Sequence, residues 1–345
     1  MKPEINKNFD ETYLGIRDVL EKARSAAYRA VNFAMVQAYW NIGKIIVEDE
    51  QKGEERAGYG VALIKELSWR LTRDYGRGFT QTNLKYMRQF YLTFPNGHAL
   101  RDELSWTHYR LLLRVEKDGA RNFYMIESVK NNWSTRELER QVNSLLYERI
   151  ALSRDKDGVK ELALRGNEIH APGDIIKDPY VLEFLGLDEN RRYLEKDIEQ
   201  ALIDKLQKFL LEPGTGFSFV ARQKRITLDG DHFYIDLVFY NYLLKCFVLI
   251  DLKVGKLTHH DIGQMDFYVR YFEKEETQRQ DNPTIGIILC ADKNETMVKY
   301  TLLEDGRQVF ASKYKLYLPT EEELKEELTR ERELIERERR MEVEK

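Results

Sequence analysis

The sequence lacks the marks of an exported, disulfide-stapled or membrane-spanning chain. Its 345 residues include only two cysteines, too few for a disulfide framework or a cysteine-rich zinc site. Cys246 and Cys290 both lie inside apolar runs, KCFVLI and IGIILC, where a cysteine behaves as a small buried hydrophobe. No apolar run approaches the ~20 residues needed to cross a bilayer. The opening MKPEINKNFDETY has no apolar core of the kind a secretory signal needs, so a cytoplasmic protein without a membrane partner is expected. Net charge is also scarce: 55 Lys and Arg stand against 59 Asp and Glu, leaving −4. The stretch from Glu321 to Lys345 alone carries eleven Glu against seven Lys or Arg, so residues 1–320 sum to zero. Any basic surface must therefore be a local patch. There is no Gly-rich phosphate loop, and no serine stands in a nucleophile-elbow context.

What is present is enough apolar and aromatic material, 42% and 12%, to fill the two cores that this length implies. From Asp10 to Glu50, apolar residues recur at helical spacing (among them Leu14, Val19, Leu20, Ala27, Val31, Met35, Ile42 and Ile46), predicting one long helix or a bent pair. A helix over YGVALIKELSWRLTRDYG, a turn at Gly76-Arg77-Gly78 and a Thr80-capped helix ending at Pro95 follow. Further helical pieces include STRELERQVNSLLYERIAL, taken as one helix. The polar stretch after Leu152, with its Gly and Pro, predicts a linker over 156–178. A helix over Arg191–Leu211 then gives way to strand-like runs, GFSFVARQKRITL, HFYIDLVFY, KCFVLIDLKV, TIGIILCA and VFASKYKLYLP, with a helix at Asp261–Glu273 before the fourth. The expected organisation is a mainly helical domain over 1–155, the linker, an α/β domain with a mixed central sheet over 179–320, and a charged helical tail over 321–345.

The chemistry concentrates between residues 199 and 268. Asp236 lies within one apolar strand, and Asp251 and Lys253 lie within the next. Charged residues in such strands are rare unless they are paired or bind an ion. Alternation along a strand puts Asp251 and Lys253 on one face, and a hairpin centred near Leu243-Leu244 brings Asp236 opposite Asp251. Carboxylates that close repel unless a cation lies between them, and few carboxylates with retained waters suit Mg²⁺, with Mn²⁺ as a substitute. An adjacent ammonium can orient an attacking water and offset charge on a phosphate oxygen. Glu199 borders the apolar stripe of the preceding helix and either faces the sheet or is simply solvated. Gln264, on the following helix one turn before Tyr268, can both donate and accept. Arg222 and Gln223 lie in a polar, basic stretch of the first strand, suited to phosphate or to an ordinary strand edge. His259 and His260 stand next to each other, point about 100° apart on a helix and read as a solvated helix start.

The segment from Leu63 to Tyr91 has helix–turn–helix form. Gln81, Asn83, Lys85 and Arg88 on its second helix, with Arg73 and Arg77 ahead, are side-chain types that read base edges and hold phosphates. A merely wet amphipathic pair would show the same pattern.

Glu on a helix, Asp on the second strand, D-x-K on the third and Gln on the next helix resemble the PD-(D/E)XK nuclease core. GFSFVARQKRIT, FYIDLVFYNYLLKCFVLIDLK and GQMDFY, together with AGYGVALIKELS, GFTQTNLKYMRQFY and LSWTHYRLLL, more narrowly resemble the YhcG-like family over roughly residues 10 to 320. The resemblance implies a winged-helix-like N-terminal domain that binds nucleic acid and a restriction-endonuclease-like domain. It places Glu199, Asp236, Asp251, Lys253 and Gln264 in the active site, with Glu199, Asp236 and Asp251 as metal ligands. The implied activity is Mg²⁺-dependent DNA endonuclease chemistry in DNA processing, restriction or defence. The alternative is a module that binds DNA or protein and keeps the fold without turnover. A homodimer or a partner protein stays open.

Overall fold

A computed structural model of the chain describes residues 4–52, 59–151, 156–185, 187, 194–210, 212–228, 230–292 and 308–316; the expected tail over 321–345 lies outside them. The chain divides into two compact units, residues 1–139 and 140–345.

The first unit is built on α1 (Glu4–Lys52), a single unbroken helix where the periodicity left a bent pair open. Helices α2 (Tyr59–Tyr75) and α3 (Gln81–Thr93) follow, joined by a 3₁₀ turn at Arg77–Phe79. Gly76 opens that turn at φ 89°, a left-handed conformation that costs glycine nothing. Thr80 caps α3 by accepting the Asn83 N–H at 3.3 Å. Ile46, Ile64, Leu84 and Met87 form the buried centre between these helices. Gly43 makes the close crossing of α1 and α3 feasible, because a Cβ there would fall on the Met87 carbonyl. Helices α4 (Trp106–Leu112) and α5 (Asp118–Lys130) complete the unit, and α6 (Thr135–Asn143) runs across its boundary. Among its described residues the unit has no strand: the helix–turn–helix is present, but no wing strand is.

The stretch expected as one helix to Leu152 is two, α6 and α7 (Leu146–Ala151). Leu145 takes φ 49°, and Arg149 donates from Nε to the Ser144 carbonyl at 2.8 Å, so that the break leaves this acceptor bonded. The segment expected as a linker also holds structure. Helix α8 (Lys156–Arg165) buries Leu162, and a 3₁₀ turn at Pro172–Ile175 buries Ile175; one apolar anchor in each is enough to dock them.

Among the described residues the second unit centres on a six-stranded mixed sheet in the order β1-β6-β5-β4-β3-β2, comprising β1 (Tyr180–Val181), β2 (Phe217–Leu228), β3 (Asp231–Asn241), β4 (Cys246–Lys256), β5 (Ile285–Asp292) and β6 (Val309–Lys315). β2, β3 and β4 are antiparallel, while β4, β5, β6 and β1 pair in parallel. Helices α9 (Glu195–Asp204) and α10 (Leu206–Phe209) cover one face, packing Ile198, Leu202 and Phe209 on Phe239, Val248, Ile250 and Leu252. Helix α11 (His259–Glu275) covers the other, packing Ile262, Met265 and Tyr268 against Val238, Leu249 and Ile288. An ion cluster centred on the buried Arg149 and Glu212 ties α6, α7 and β1 to the chain after α10. Arg149 Nη1 donates to Glu212 Oε1 at 2.7 Å, Arg140 Nη2 to Oε2 at 3.0 Å, and the Val181 N–H to Oε1 at 3.0 Å. Lys177 donates to the Glu212 carbonyl. Burial alone would raise the Glu212 pKa, but Arg149, Lys177 and Arg140 outweigh it and hold the group down at about 2.

Candidate active site

The site forms where the β3–β4 hairpin comes apart. Its turn is fixed by Asn241, whose Oδ1 accepts the Leu243 and Leu244 N–H groups at 3.1 and 3.0 Å, and by Lys245 at φ 51°. From there the ladder runs from Asn241↔Cys246 to Leu237↔Ile250 and stops. The next two positions are Asp236 and Asp251. Beyond them β3 stays paired with β2, and β4 stays paired with β5 through Asp251↔Ile288 and Lys253↔Cys290. A carboxylate takes over where the ladder ends: Asp236 Oδ2 accepts the Leu252 N–H at 2.7 Å. The pleat puts Asp251 and Lys253 on the face of Leu249, the α11 side, and Lys253 Nζ lies 2.8 Å from Asp251 Oδ2. Asp236 and Asp251 are 7% and 2% exposed, a burial that carboxylates sustain only with partners or a cation.

Helix α11 brings the next groups. Thr258 and Asp261 cap it reciprocally, with Asp261 Oδ2 accepting the Thr258 N–H at 2.8 Å. His259 and His260 are exposed at its start. Gln264 Nε2 donates to Tyr268 Oη at 2.5 Å, and Tyr268 Oη donates to the Tyr234 carbonyl at 2.9 Å. Burial raises the Tyr268 pKa; the Gln264 hydrogen bond lowers it, the negative charge of Asp251 raises it, Lys253 lowers it and Asp236 raises it. Tyr268 thus stands within electrostatic reach of all three charged residues and joins Gln264 to β3. The sequence showed it only as the residue one turn beyond Gln264.

Gln223, expected as a phosphate contact, is bonded within the site. Its Nε2 donates to Asp236 Oδ1 at 3.0 Å, and its backbone sits at φ 44°. A register shift between Phe219 and Ala221 re-phases β2 just ahead of it, which is what a bulge does beside a functional side chain. Arg222 is exposed on the same strand, and its neighbour Lys224 pairs with Glu276 at 3.0 Å. Glu199 lies in α9, and its side chain is outside the described residues. Among the described residues no three His, Cys, Asp or Glu side chains gather as a metal-binding group; Asp236 and Asp251 are a pair.

In the first unit, Arg73, Arg77, Gln81 and Lys85 are exposed, with Arg73 bonded to Asp74 at 2.8 Å. Asn83 turns inward: Nδ2 donates to the Gly78 carbonyl at 2.6 Å, and Oδ1 accepts from Trp106 Nε1 at 3.1 Å. Its amide fastens the turn and is not presented outward as the sequence reading expected. Arg88 Nε is bonded to Glu50 Oε2 at 2.5 Å, which ties α3 to α1. No helix of the described residues is long and apolar enough to cross a membrane.

The chain is similar to known proteins along most of its length. Residues 173–329 match the family described as the YhcG PDDEXK nuclease domain, and residues 15–149 match the DUF1016 N-terminal domain. A curated relative from Escherichia coli (strain K12), named "Putative nuclease YhcG", is 38% identical over 360 residues, covering 95% of this chain and 96% of that protein. Among solved structures, a repair endonuclease from Pyrococcus abyssi is similar to 36% of this chain and 49% of its own, at 16% identity and a TM-score of 0.25. EndoMS in its apo form covers 36% and 47%, at 18% identity and a TM-score of 0.26. With both halves matched and a relative aligned along nearly its whole length, the chain belongs to the YhcG-like PD-(D/E)XK nuclease family.

Proposed function

We propose that the chain is a divalent-metal-dependent deoxyribonuclease acting as an endonuclease on DNA in the cytoplasm, in processing, restriction or defence. The observation that carries this reading is the placement of two buried carboxylates, Asp236 and Asp251, at the positions where the hairpin ladder gives out, with Lys253 on the face of Asp251. Their oxygens are the hard donors that Mg²⁺ or Mn²⁺ takes. The ion, when bound, supplies Lewis-acid charge at the scissile phosphate. The chain's own side chains do the rest. The Leu252 N–H and the Gln223 amide hold the Asp236 carboxylate in one orientation. The Lys253 ammonium orients the attacking water and offsets charge growing on the phosphate. Gln264, held by Tyr268, positions water or a phosphate oxygen. Exposed Arg73, Arg77, Gln81 and Lys85 of the helix–turn–helix, together with Arg222, hold the DNA.

The test is Asp251→Ala in the full chain, assayed with Mg²⁺ and Mn²⁺ on linear, nicked, branched and modified DNA. Loss of cleavage with unchanged folding is the expected result. Retained cleavage by the folded variant would remove Asp251 from the site, and a wild-type protein that binds DNA but cuts none of the panel would favour a binding module.

A further inference from the structure

Along the first half of α1 every residue from Glu11 to Val31 is exposed, and the exposed residues are not the ones a solvated helix carries. Phe9 is 73% exposed, Tyr13 58%, Ile16 57%, Val19 65% and Leu20 53%. The same helix from Val36 onward buries Val36, Ile46 and Val47 in the first unit's core, so its apolar surface is partnered at one end and bare at the other. The bare part has a period. Phe9, Tyr13, Ile16, Leu20, Ala23, Ala27, Ala30 and Ala34 follow one another in alternating steps of four and three. An isolated α-helix repeats every 3.6 residues, so a strict 3.5 repeat drifts around it unless a second helix supercoils with it. Large residues occupy one end of the seam and alanines the other, which lets backbones approach there.

We infer that this face is a coiled-coil seam on which a second copy of the chain docks. Charge favours the chain itself over a strongly charged partner. Asp10, Glu11, Asp18 and Glu21 balance Arg17, Lys22, Arg24 and Arg29, so two copies meet without net repulsion and an acidic or basic peptide finds no complementary field. The charges are also partly paired off the seam, with Lys22 to Asp18 at 2.6 Å and Arg24 to Glu21 at 3.7 Å. The stripe from Phe9 to Ala34 is about 39 Å long at ~1.5 Å per residue. Covering roughly a third of each helix's perimeter buries ~500 Å² per copy, or ~1,000 Å² in all, at the lower edge of specific interfaces. That size suits a concentration-dependent dimer, not an obligate one.

Sedimentation of the full chain from about 1 to about 200 µM should show a monomer passing into a dimer over this range. Ile16→Glu with Leu20→Glu should hold the protein monomeric throughout, and these residues are exposed in the monomer, so its circular dichroism should not change and its melting should match that of the dilute, monomeric wild type. Leu14→Glu adds a carboxylate to the same helix off the seam and should leave the dimer intact. A wild-type chain that is monomeric at the highest concentration overturns the inference. So does a dimer that survives the double substitution, or one that Leu14→Glu disrupts equally, and neither outcome bears on the nuclease reading.

Discussion

Gln223 is where strain and chemistry can be separated by two substitutions. It holds a non-glycine φ of 44° in the middle of β2, and its amide reaches the Asp236 carboxylate at 3.0 Å. A hydrogen bond to a charged group contributes ~1.5–3 kcal/mol; the exposure of Gln223 puts this one at the lower end. The left-handed backbone costs ~1–2 kcal/mol for any residue with a Cβ. Gln223→Ala loses the bond and keeps the strain, so stability should fall by about 1.5 kcal/mol. Gln223→Gly loses the same bond but relieves the strain, and should regain about 1 kcal/mol of it after the extra freedom of glycine in the unfolded chain is counted. Activity should not follow stability. Both variants remove one of the bonds that orient the Asp236 carboxylate, and loss of a partner that orients a ligand typically costs ~10–100-fold in activity or metal affinity. Urea unfolding, Mg²⁺ titration and single-turnover cleavage on the three proteins give the comparison. A Gln223→Gly protein that cleaves at the native rate refutes the positioning role, and alanine and glycine variants of equal stability refute the strain.

Three further outcomes follow from the same geometry. Lys253→Met removes the ammonium 2.8 Å from Asp251; single-turnover cleavage should fall ~10²-fold or more while ion affinity holds or rises, and unchanged cleavage would leave Lys253 as an ion-pair partner alone. Glu212, depressed from 4.5 to about 2, should contribute about 3 kcal/mol of stability. That contribution is complete above the unfolded pKa near 4.5 and is lost as pH falls towards 2. Glu212→Gln should therefore flatten unfolding free energy across this window and cost ~3–5 kcal/mol at neutral pH, because Arg149 is left buried without its anion; an unaltered pH profile would contradict the assignment. Arg77→Ala with Lys85→Ala should weaken DNA binding alike on all sequences and reduce the salt slope by about two, and an unchanged slope would take phosphate contact away from the helix–turn–helix.

The sequence carried the site's backbone frame well and its fine structure poorly. The hairpin was legible because its turn and both strands obey a period of two, and from that alone Asp236 falls next to Asp251. The hydrogen bond from Gln223 to Asp236 was not legible, because the irregularity between Phe219 and Ala221 changes the phase of β2 and no residue type announces it. Asn83 and Arg88 look like DNA-reading side chains by type, but Trp106, Gly78 and Glu50 engage them from parts of the chain that sequence spacing does not connect. The break at Leu145 leaves helical periodicity nearly intact, and nothing in the spacing sets its stabiliser, Arg149, apart. Glu212 follows directly on the expected helix over Arg191–Leu211, and its three basic partners come from segments 35 to 72 residues away.

The Asn241 turn has a consequence for how this protein can change. Along the paired strands each residue reverses the side to which the chain points, so the stretch from Leu237 to Ile250 works as a spacer whose parity matters more than its composition. Exchanges among apolar residues there leave both carboxylates on one side of the sheet. A single inserted or deleted residue would keep Asp236, Asp251 and Lys253 in the chain, yet send one carboxylate towards α9 and the other towards α11. Length drift in that spacer would abolish the site without altering any residue in it.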